Sequence, residues 1–354
     1  MASLKDLFTF TLPKTKRALF MLWCTASQHL DVPGREVLPL SQGGIQLLTM
    51  DPSAVLASVA SRVPREYVHK EDESEVLLTG CRASGPDTFL VTARWPIDHG
   101  FYHPVHGLFD PLLGAESIRQ AVPLLSHVAY GVPFGHKQSW GYYRQNLDPT
   151  ALESDGSTAE IELRIACTDV IRRTGGLASL TMRVDMFREG LPLGTAELGF
   201  RNHPPAIYKR LRRRYADIDW ATSRAIPAVP PTAPQRVSRE QLADVVLSTT
   251  DSPNCSRLRA DLSHRVLFDH PVDHVPGMLL LEAARQSAHE AAHPRPTVAV
   301  GLDAVFRRYV ELDAPCWIQS RCELPLDDGQ PVGVDAVQHG EELFTCTVTL
   351  ASAP

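Results

Sequence analysis

One motif occurs twice in the 354-residue chain, and this repetition limits the possible folds more than any other feature. The segments "FYHPVHGLFDPLLGAESIRQ" (101–120) and "FDHPVDHVPGMLLLEAARQ" (268–286) both run from an aromatic residue through His-Pro-Val and an apolar stretch to Glu, Arg and Gln. His103 and His270 are 167 positions apart. Weaker similarities continue at nearly this offset over about 70 residues, and a sustained match of this kind predicts two copies of one domain.

The repetition divides the chain into four parts. We predict an N-terminal extension of unclear role (1–61), a first repeat (62–200), a linker (201–235) and a second repeat (236–354). The linker contains the basic "YKRLRRRYADIDW" (208–220), which is typical of a solvated surface but would also attract an acidic carrier protein or a phosphate. It continues with the proline-rich "AIPAVPPTAPQRV", which we expect to be extended and solvated.

Composition excludes several classes of protein. With 44% hydrophobic and 21% charged residues, the chain can form a sizeable core, and its net charge of −6 argues against a nucleic-acid-binding protein. The seven cysteines contain no CxxC pair, which indicates free thiols in a reducing cytoplasm. The apolar run "ALFMLWC" (18–24) follows basic residues as in a signal peptide, but it is too short to span a bilayer. We therefore expect a cytoplasmic protein that binds neither membranes nor nucleic acid.

Each copy has the order strand, loop, helix and several strands. In the second copy we predict a strand at "DVVLST" (244–249) and a helix over 277–292 that ends at His293-Pro294. Further strands are predicted at 297–302, 314–324, 331–338 and 343–350. A single apolar helix followed by antiparallel strands predicts a sheet wrapped around that helix, which is the hotdog architecture. The whole chain is thus predicted to be an α+β tandem hotdog, an internal pseudo-dimer with a joined sheet.

The predicted second-copy helix is apolar on nearly every side yet carries polar residues. Glu282, Arg285 and Gln286 share one stripe because they stand at positions i, i+3 and i+4. A surface ion pair would contribute only about a few tenths of a kcal/mol, whereas burying two ions costs several kcal/mol before their pairing offsets it. A fold gains little from such a pair, which favours a role in chemistry. The first copy has the same spacing in Glu116, Arg119 and Gln120.

The loop before this helix supplies further candidate site residues, namely Asp269, His270, Asp273 and His274, with His103 as the first-copy counterpart of His270. Pro276 and Gly277 suit the first turn of the helix. The unpaired amide groups of such a turn can polarise a thioester carbonyl or hold an oxyanion. The HxxxH spacing in this loop is weak for a metal site, so we predict neither a metal nor another cofactor.

These residues carry a family resemblance. The second-copy motif (268–286), together with "VPREYVHK" (63–70) and "ARWPIDHGFYHP" (93–104), resembles the A-factor biosynthesis hotdog proteins, the γ-butyrolactone autoregulator synthases of actinomycetes. The resemblance covers about 63–354. A more distant likeness is to hydroxyacyl carrier-protein dehydratases, which use a His loop and a Glu for acid–base work. Here the span from His270 to Glu282 is shorter than in those enzymes and Arg285 is an addition, which puts simple dehydration in doubt.

The resemblance implies an acyltransferase. A β-ketoacyl thioester on acyl carrier protein or CoA would donate its acyl group to the hydroxyl of dihydroxyacetone phosphate. The ester could then close to a phosphorylated butenolide, the precursor of a γ-butyrolactone or furan signal that regulates secondary metabolism. Two alternatives stay open: a hotdog thioesterase or dehydratase acting on acyl thioesters, and a non-catalytic module that binds acyl ligands. The chain itself would be a monomeric pseudo-dimer or a weak homodimer.

Each candidate residue has an expected role in that reaction. Glu282 would deprotonate the hydroxyl, with its pKa raised by burial, and Arg285 would grip the phosphate or the ketone oxygen. His270 would act as a proton shuttle. The first-copy pair Glu116 and Arg119 is a second catalytic candidate, and the expected substrate-binding residues are Gly277, Asp273, His274, Gln286 and His103.

Overall fold

The computed structural model describes residues 63–173, 176–322 and 329–354, so the predicted N-terminal extension lies outside the described residues. The described chain contains four α-helices: α1 (Leu112–Val128), α2 (Pro205–Arg212), α3 (Ile218–Ser223) and α4 (Gly277–Ala292). Its strands are β1 (Leu78–Gly85), β2 (Thr88–Trp95), β3 (Lys137–Leu147), β4 (Ala159–Arg173), β5 (Gly176–Arg188), β6 (Leu191–His203), β7 (Leu247–Thr249), β8 (Cys255–Leu258), β9 (Thr297–Phe306), β10 (Trp317–Cys322), β11 (Gln330–Gln338) and β12 (Glu341–Ser352). No helix among these residues is both long and apolar enough to cross a membrane.

The strands form one antiparallel sheet that both repeats share. Its order is β1-β2-β4-β5-β6-β3 followed by β9-β12-β11-β10-β8-β7. When each half is read from its outer edge inward, the two halves have the same strand order. Strands β3 and β9 pair at the centre, from Tyr142 opposite Val305 to Asn146 opposite Gly301. The predicted tandem hotdog with a joined sheet is therefore confirmed, while the predicted repeat boundaries stay a prediction.

The two long helices pack against this sheet with almost no solvated side. Every residue of α1 is buried except Arg119, and α4 is buried from Met278 to His289. Burying apolar side chains stabilises the fold by roughly 25 cal/mol per Å² of apolar surface. Polar groups enclosed in the same core must be hydrogen-bonded, because an unpaired one is costly. The polar side chains on each helix therefore need hydrogen-bond or ion-pair partners inside the core.

The pattern of the second repeat is largely that expected from its sequence. The helix predicted over 277–292 is α4, and the four strands predicted after it are β9, β10, β11 and β12. Alternation of buried and partly exposed positions along β12 explains why its period-two pattern was readable. These elements are long or strongly periodic, which is where sequence patterns are most informative.

One predicted strand is much shorter than expected. Only Leu247–Thr249 of "DVVLST" is a strand. The side chain of Gln286 binds the backbone just before it, donating to the carbonyl oxygen of Asp244 at 2.8 Å and accepting from the N–H of Val246 at 3.0 Å. Those backbone groups are thus satisfied by a side chain instead of by a neighbouring strand.

The segment predicted to be a solvated linker is partly buried. Tyr208 and Arg212 of α2 are buried, so the interpretation of the basic stretch as wholly solvated is wrong at these two positions. The proline-rich stretch also packs in part, because Thr232 is buried and its N–H donates to the carbonyl oxygen of Leu247. Both stretches therefore pack against the second repeat through a few inward-facing residues, while the residues between them are exposed or partly exposed.

Candidate active site

A network of charges surrounds Glu282 in the interior of the second repeat. Arg285 donates two hydrogen bonds to its carboxylate, at 2.7 and 2.8 Å, and Gln286 donates a third. Arg239, from the segment before β7, donates a fourth at 2.9 Å. The Glu282 side chain is completely buried. We call Glu282, Arg285, Gln286 and Arg239 the second cluster.

The first repeat contains an equivalent network around Glu116. Arg119 donates two hydrogen bonds to its carboxylate, each 2.8 Å long, and Gln120 donates one of the same length. The ammonium of Lys70 lies 3.2 Å from Glu116 Oε1, in the place that Arg239 takes in the second repeat. Gln120 also binds the backbone of Glu75 and Leu77 as Gln286 binds that of Asp244 and Val246. Glu116, Arg119, Gln120 and Lys70 form the first cluster.

Each cluster is completed by a loop from the other repeat. In the second cluster, Arg239 contacts Asp110 at 3.1 Å and donates to the carbonyl oxygen of Phe101 at 2.7 Å, both in the first repeat. On the other side, Asp269 of the second repeat accepts hydrogen bonds from the backbone N–H groups of Glu71 and Asp72. These bonds hold the loop that precedes α4 beside the first cluster.

Because of this exchange of loops, some of the predicted site residues contact the other repeat. His270 Nδ1 lies 3.3 Å from the carboxylate of Asp269, which binds the backbone of Glu71 in the first repeat. His103 of the first repeat lies 3.8 Å from Glu240 of the second. The loop that carries His270 therefore lies beside the first cluster, because Asp269 binds the backbone next to Lys70. The catalytic role predicted for His270 stays a prediction.

The two clusters differ in their access to solvent. The side chain of Arg119 is 22% exposed, whereas that of Arg285 is 5% exposed. Lys70 and Glu116 are nearly sealed, and Glu282 and Arg239 are completely sealed. Among the cations of the two clusters, Arg119 is therefore the one whose side chain is substantially accessible to solvent.

Neither central carboxylate is suited to act as a base. Burial on its own would raise the pKa of Glu282, but attraction to Arg239 and Arg285 and the hydrogen bonds outweigh it and hold the pKa well below its usual range. The same balance, with Arg119 and Lys70, lowers the pKa of Glu116 to about 2. The expectation that burial raises the pKa of Glu282 is therefore wrong, because the sequence did not reveal a second cation at the carboxylate.

Two hydrogen-bonded histidines, His69 and His127, lie beside the first cluster. His69 Nε2 and His127 Nε2 are 2.9 Å apart, and His127 Nδ1 is 2.6 Å from the carbonyl oxygen of Val132. A carbonyl oxygen only accepts, so His127 Nδ1 carries the proton and its Nε2 accepts from His69. His69 Nδ1 is left with a free lone pair. Burial, together with the positive charges of Arg119 and Lys137 nearby, lowers the pKa of His69 to about 3, which keeps the ring neutral.

His270 opens onto a cleft of about 320 Å³. Two residues of α3, Asp219 and Thr222, line one side of the cleft. The other side is the loop before α4, and the lining residues there are Leu262, Phe268, Asp269, His270, Pro271 and Val272. The cleft is therefore lined by both polar and apolar side chains, as small-molecule pockets generally are.

Two residues predicted to contact substrate are engaged elsewhere. Asp273 accepts a hydrogen bond from the Tyr208 hydroxyl at 2.7 Å and one from Arg212, and His274 Nδ1 lies 2.6 Å from its carboxylate. Although burial opposes it, the contacts with His274, Tyr208 and Arg212 lower the pKa of Asp273 to about 2. These bonds fasten the loop before α4 to α2. The substrate contacts predicted for Asp273 and His274 stay a prediction.

The remaining predicted substrate contacts fall in three different settings. Gln286 is fully buried, and its amide nitrogen donates to the carbonyl oxygen of Asp244 and to Glu282. Gly277 begins α4 as predicted, and no side chain caps this first turn. His103 Nε2 is buried without a hydrogen-bond partner.

Reasoning from sequence missed Lys70, Arg239 and His69. A usable signal was present, because a short 3-10 helix ends at Val68 before His69-Lys70, and an equivalent one ends at Val237 before Ser238-Arg239. These segments are 169 positions apart, close to the main repeat offset. Their basic residues are scattered among ordinary surface charges, which concealed them.

A family model described as the A-factor biosynthesis hotdog domain matches residues 53–203 and, a second time, residues 220–352. The chain belongs to the A-factor biosynthesis hotdog family. The resemblance drawn from the sequence motifs is thereby confirmed, and the double match agrees with the repeated strand order of the sheet.

Relatives within this family are similar over most of the chain. A 2-oxo-3-(phosphooxy)propyl 3-oxoalkanoate synthase of Streptomyces virginiae is 40% identical over 291 residues, which are 82% of this chain and 98% of that protein. A synthase of the same name from Streptomyces coelicolor is 37% identical over 301 residues, 83% of this chain and 93% of that one. Among solved structures, the 12:0-ACP thioesterase from Umbellularia californica is 11% identical with a TM-score of 0.48, covering 74% of this chain and 94% of its own.

Proposed function

We propose that this chain is an acyltransferase that joins a 3-oxoacyl group, carried as a thioester, to the hydroxyl of dihydroxyacetone phosphate. The observation that carries the proposal is its similarity, over more than four-fifths of its length, to synthases whose name describes an ester between a phosphooxy-oxopropyl group and a 3-oxoalkanoate. The partly exposed Arg119 beside a mixed polar and apolar cleft supports it. The product is the precursor of a butenolide and hence of a γ-butyrolactone or furan signal. We place the reaction in the cytoplasm, where both substrates are metabolic intermediates.

Arg119 is the residue we assign to the phosphate. Its guanidinium is held by the two hydrogen bonds that it donates to Glu116, and it is the accessible cation of the first cluster. A guanidinium fixed in this way binds phosphate with little loss of side-chain entropy. Glu116 is thus a positioning residue for Arg119, and Glu282 takes the same part for Arg285 in the second cluster. We retain Arg285 as a candidate for a second site that is closed in this structure.

His69 is the base we assign to the hydroxyl. Its Nδ1 removes the hydroxyl proton as the oxygen attacks the thioester carbonyl carbon; the carbon–sulfur bond then breaks, and protonated His69 returns the proton to the departing thiolate. A bound phosphate dianion raises the pKa of His69 towards the range that proton transfer requires, because it offsets the surrounding positive charges. His127 fixes the tautomer, and His270 completes the proton path from the cleft side.

The open first turn of α4 at Gly277 is the group we assign to the oxyanion. Ring closure follows when the activated carbon between the two carbonyls of the acyl group attacks the triose ketone and water is lost. No covalent intermediate with the protein is needed for either step.

Product analysis tests the proposal. Purified protein is incubated with a 3-oxooctanoyl thioester, with and without dihydroxyacetone phosphate, and the products are separated by mass. A phosphate-bearing ester or butenolide that requires the triose supports transfer. Release of free 3-oxo acid at the same rate without the triose supports the thioesterase alternative. Conversion of a 3-hydroxyoctanoyl thioester, tested in parallel, to the enoyl thioester supports a dehydratase, and unchanged thioester supports a binding module.

A further inference from the structure

We propose that α2, with the turn that follows it, is the docking platform for an acidic carrier protein that delivers the acyl thioester. This inference rests on the proposed function, because it assumes an acyl thioester donor. The outer face of α2 would contact a carrier protein but not a small thioester, so the two kinds of donor can be compared experimentally.

The first observation is the composition of the outward side of α2. Ile207 and Leu211 are 45% and 57% exposed, and Arg210 lies on the same face of the helix. Lys209 and Arg213 are exposed beside them. Large exposed apolar side chains rimmed by charge mark interaction sites on soluble proteins.

The second observation is the charge of this surface. Lys209, Arg210 and Arg213 make no ion pair with any residue in the described ranges. The helix and its following turn, Pro205–Ala216, contain no acidic residue, although the chain as a whole carries a net charge of −6. An isolated basic patch on an acidic protein attracts a partner of strongly negative charge and steers its approach.

The third observation is how firmly α2 is attached. Its inward residues Tyr208 and Arg212 bind Asp273, and Arg212 also binds Glu311 at 2.7 Å. Asp273 belongs to the loop that carries His270. A partner bound to the outer face of α2 therefore rests on a rigid element that is fastened directly to the lining of the cleft.

The fourth observation is position. The turn after α2 leads straight into α3, whose Asp219 and Thr222 form one wall of the cleft. A carrier seated on α2 has its flexible prosthetic arm next to the mouth of this cleft. Both partners are anionic, but the exposed apolar side chains of a rigid helix beside the cleft favour a carrier protein over free CoA as the partner of this surface.

The test compares two donors with one acyl group. The variant Lys209→Glu/Arg210→Glu reverses two unpaired charges on α2. The matched control Arg82→Glu/Arg173→Glu reverses two exposed arginines on strands β1 and β4. Initial rates are measured with 3-oxooctanoyl acyl carrier protein and with the 3-oxooctanoyl N-acetylcysteamine thioester.

We expect the α2 variant to raise KM for the carrier-linked donor by about tenfold or more, with KM for the small thioester unchanged. An equal KM for the carrier-linked donor in the α2 variant and the wild type overturns the proposal, and so does an equal effect of the control pair. Transfer from the small thioester by the wild type reports the proposed function separately. If neither donor turns over, calorimetric titration with the acyl carrier protein decides: binding lost only in the α2 variant supports docking, and binding equal in both variants refutes it.

Discussion

Arg239 of the second repeat donates a hydrogen bond to the backbone carbonyl oxygen of Phe101 in the first repeat, 2.7 Å away. The same guanidinium lies 4.1 Å from the centre of the Phe101 ring and binds Glu282. One side chain thus ties the interior of one repeat to the backbone of the other. Each cluster is thus bordered by residues of the other repeat.

The first prediction concerns the stability that Glu282 provides. Glu282→Gln leaves the buried Arg239 and Arg285 with one carboxylate fewer, and breaking such a network costs about 3–5 kcal/mol. We expect a large fall in the free energy of unfolding, measured by chemical denaturation. The control is Glu290→Gln on the same helix, where a partly exposed pair with Arg236 contributes about 1 kcal/mol or less. Equal losses in the two variants would show that burial of the network is unimportant.

The second prediction is a dependence of stability on acid. The pKa of Glu116 is lowered from 4.5 to about 2 in the folded protein, because Arg119 and Lys70 outweigh the effect of burial. A carboxyl with a lowered folded pKa stabilises the fold above its unfolded pKa, and this contribution is lost as pH falls through the folded value. We expect the free energy of unfolding to decrease from pH 4.5 to about pH 2 and Glu116→Gln to flatten that slope. An unaltered slope in Glu116→Gln, with exposed Glu66→Gln as the reference, would contradict the assignment.

The third prediction isolates His69 as the base. His69→Gln should lower kcat by about 10²–10⁴-fold, the usual contribution of a general base, while KM for the triose changes little. His339→Gln is a matched control, because His339 is exposed and has a left-handed φ of 54°, against 52° for His69. A kcat for His69→Gln within twofold of that of the control would remove His69 from the mechanism.

The sequence predicted those parts of the molecule that depend on local pattern. The helix over 277–292 and the alternating strand β12 follow from the spacing of apolar residues. The stripe of Glu282, Arg285 and Gln286 follows from helix geometry, and its burial follows from the apolar residues around it. The repeated motif also predicted the equivalent stripe at Glu116.

What the sequence did not predict depends on contacts across long separations. The loop carrying His270 crosses to the first cluster, and no periodicity within one repeat reveals that exchange. Arg239 reaches Glu282 from 43 positions earlier, and this second cation reverses the expected shift in the pKa of Glu282. His69 depends on a contact with His127, 58 positions away, for its tautomer. Their chemistry comes from neighbours that only the fold brings together.

The dependence of the rate on triose concentration in Arg119→Ala tests the central claim most directly, namely that the accessible first cluster binds the phosphate of the acyl acceptor. Charged hydrogen bonds of this kind contribute about 1.5–3 kcal/mol, so we expect KM for dihydroxyacetone phosphate to rise by about 10–100-fold. KM for the thioester should stay unchanged, and Arg119→Lys should recover part of the loss. A KM for the triose equal to that of the wild type would contradict the account.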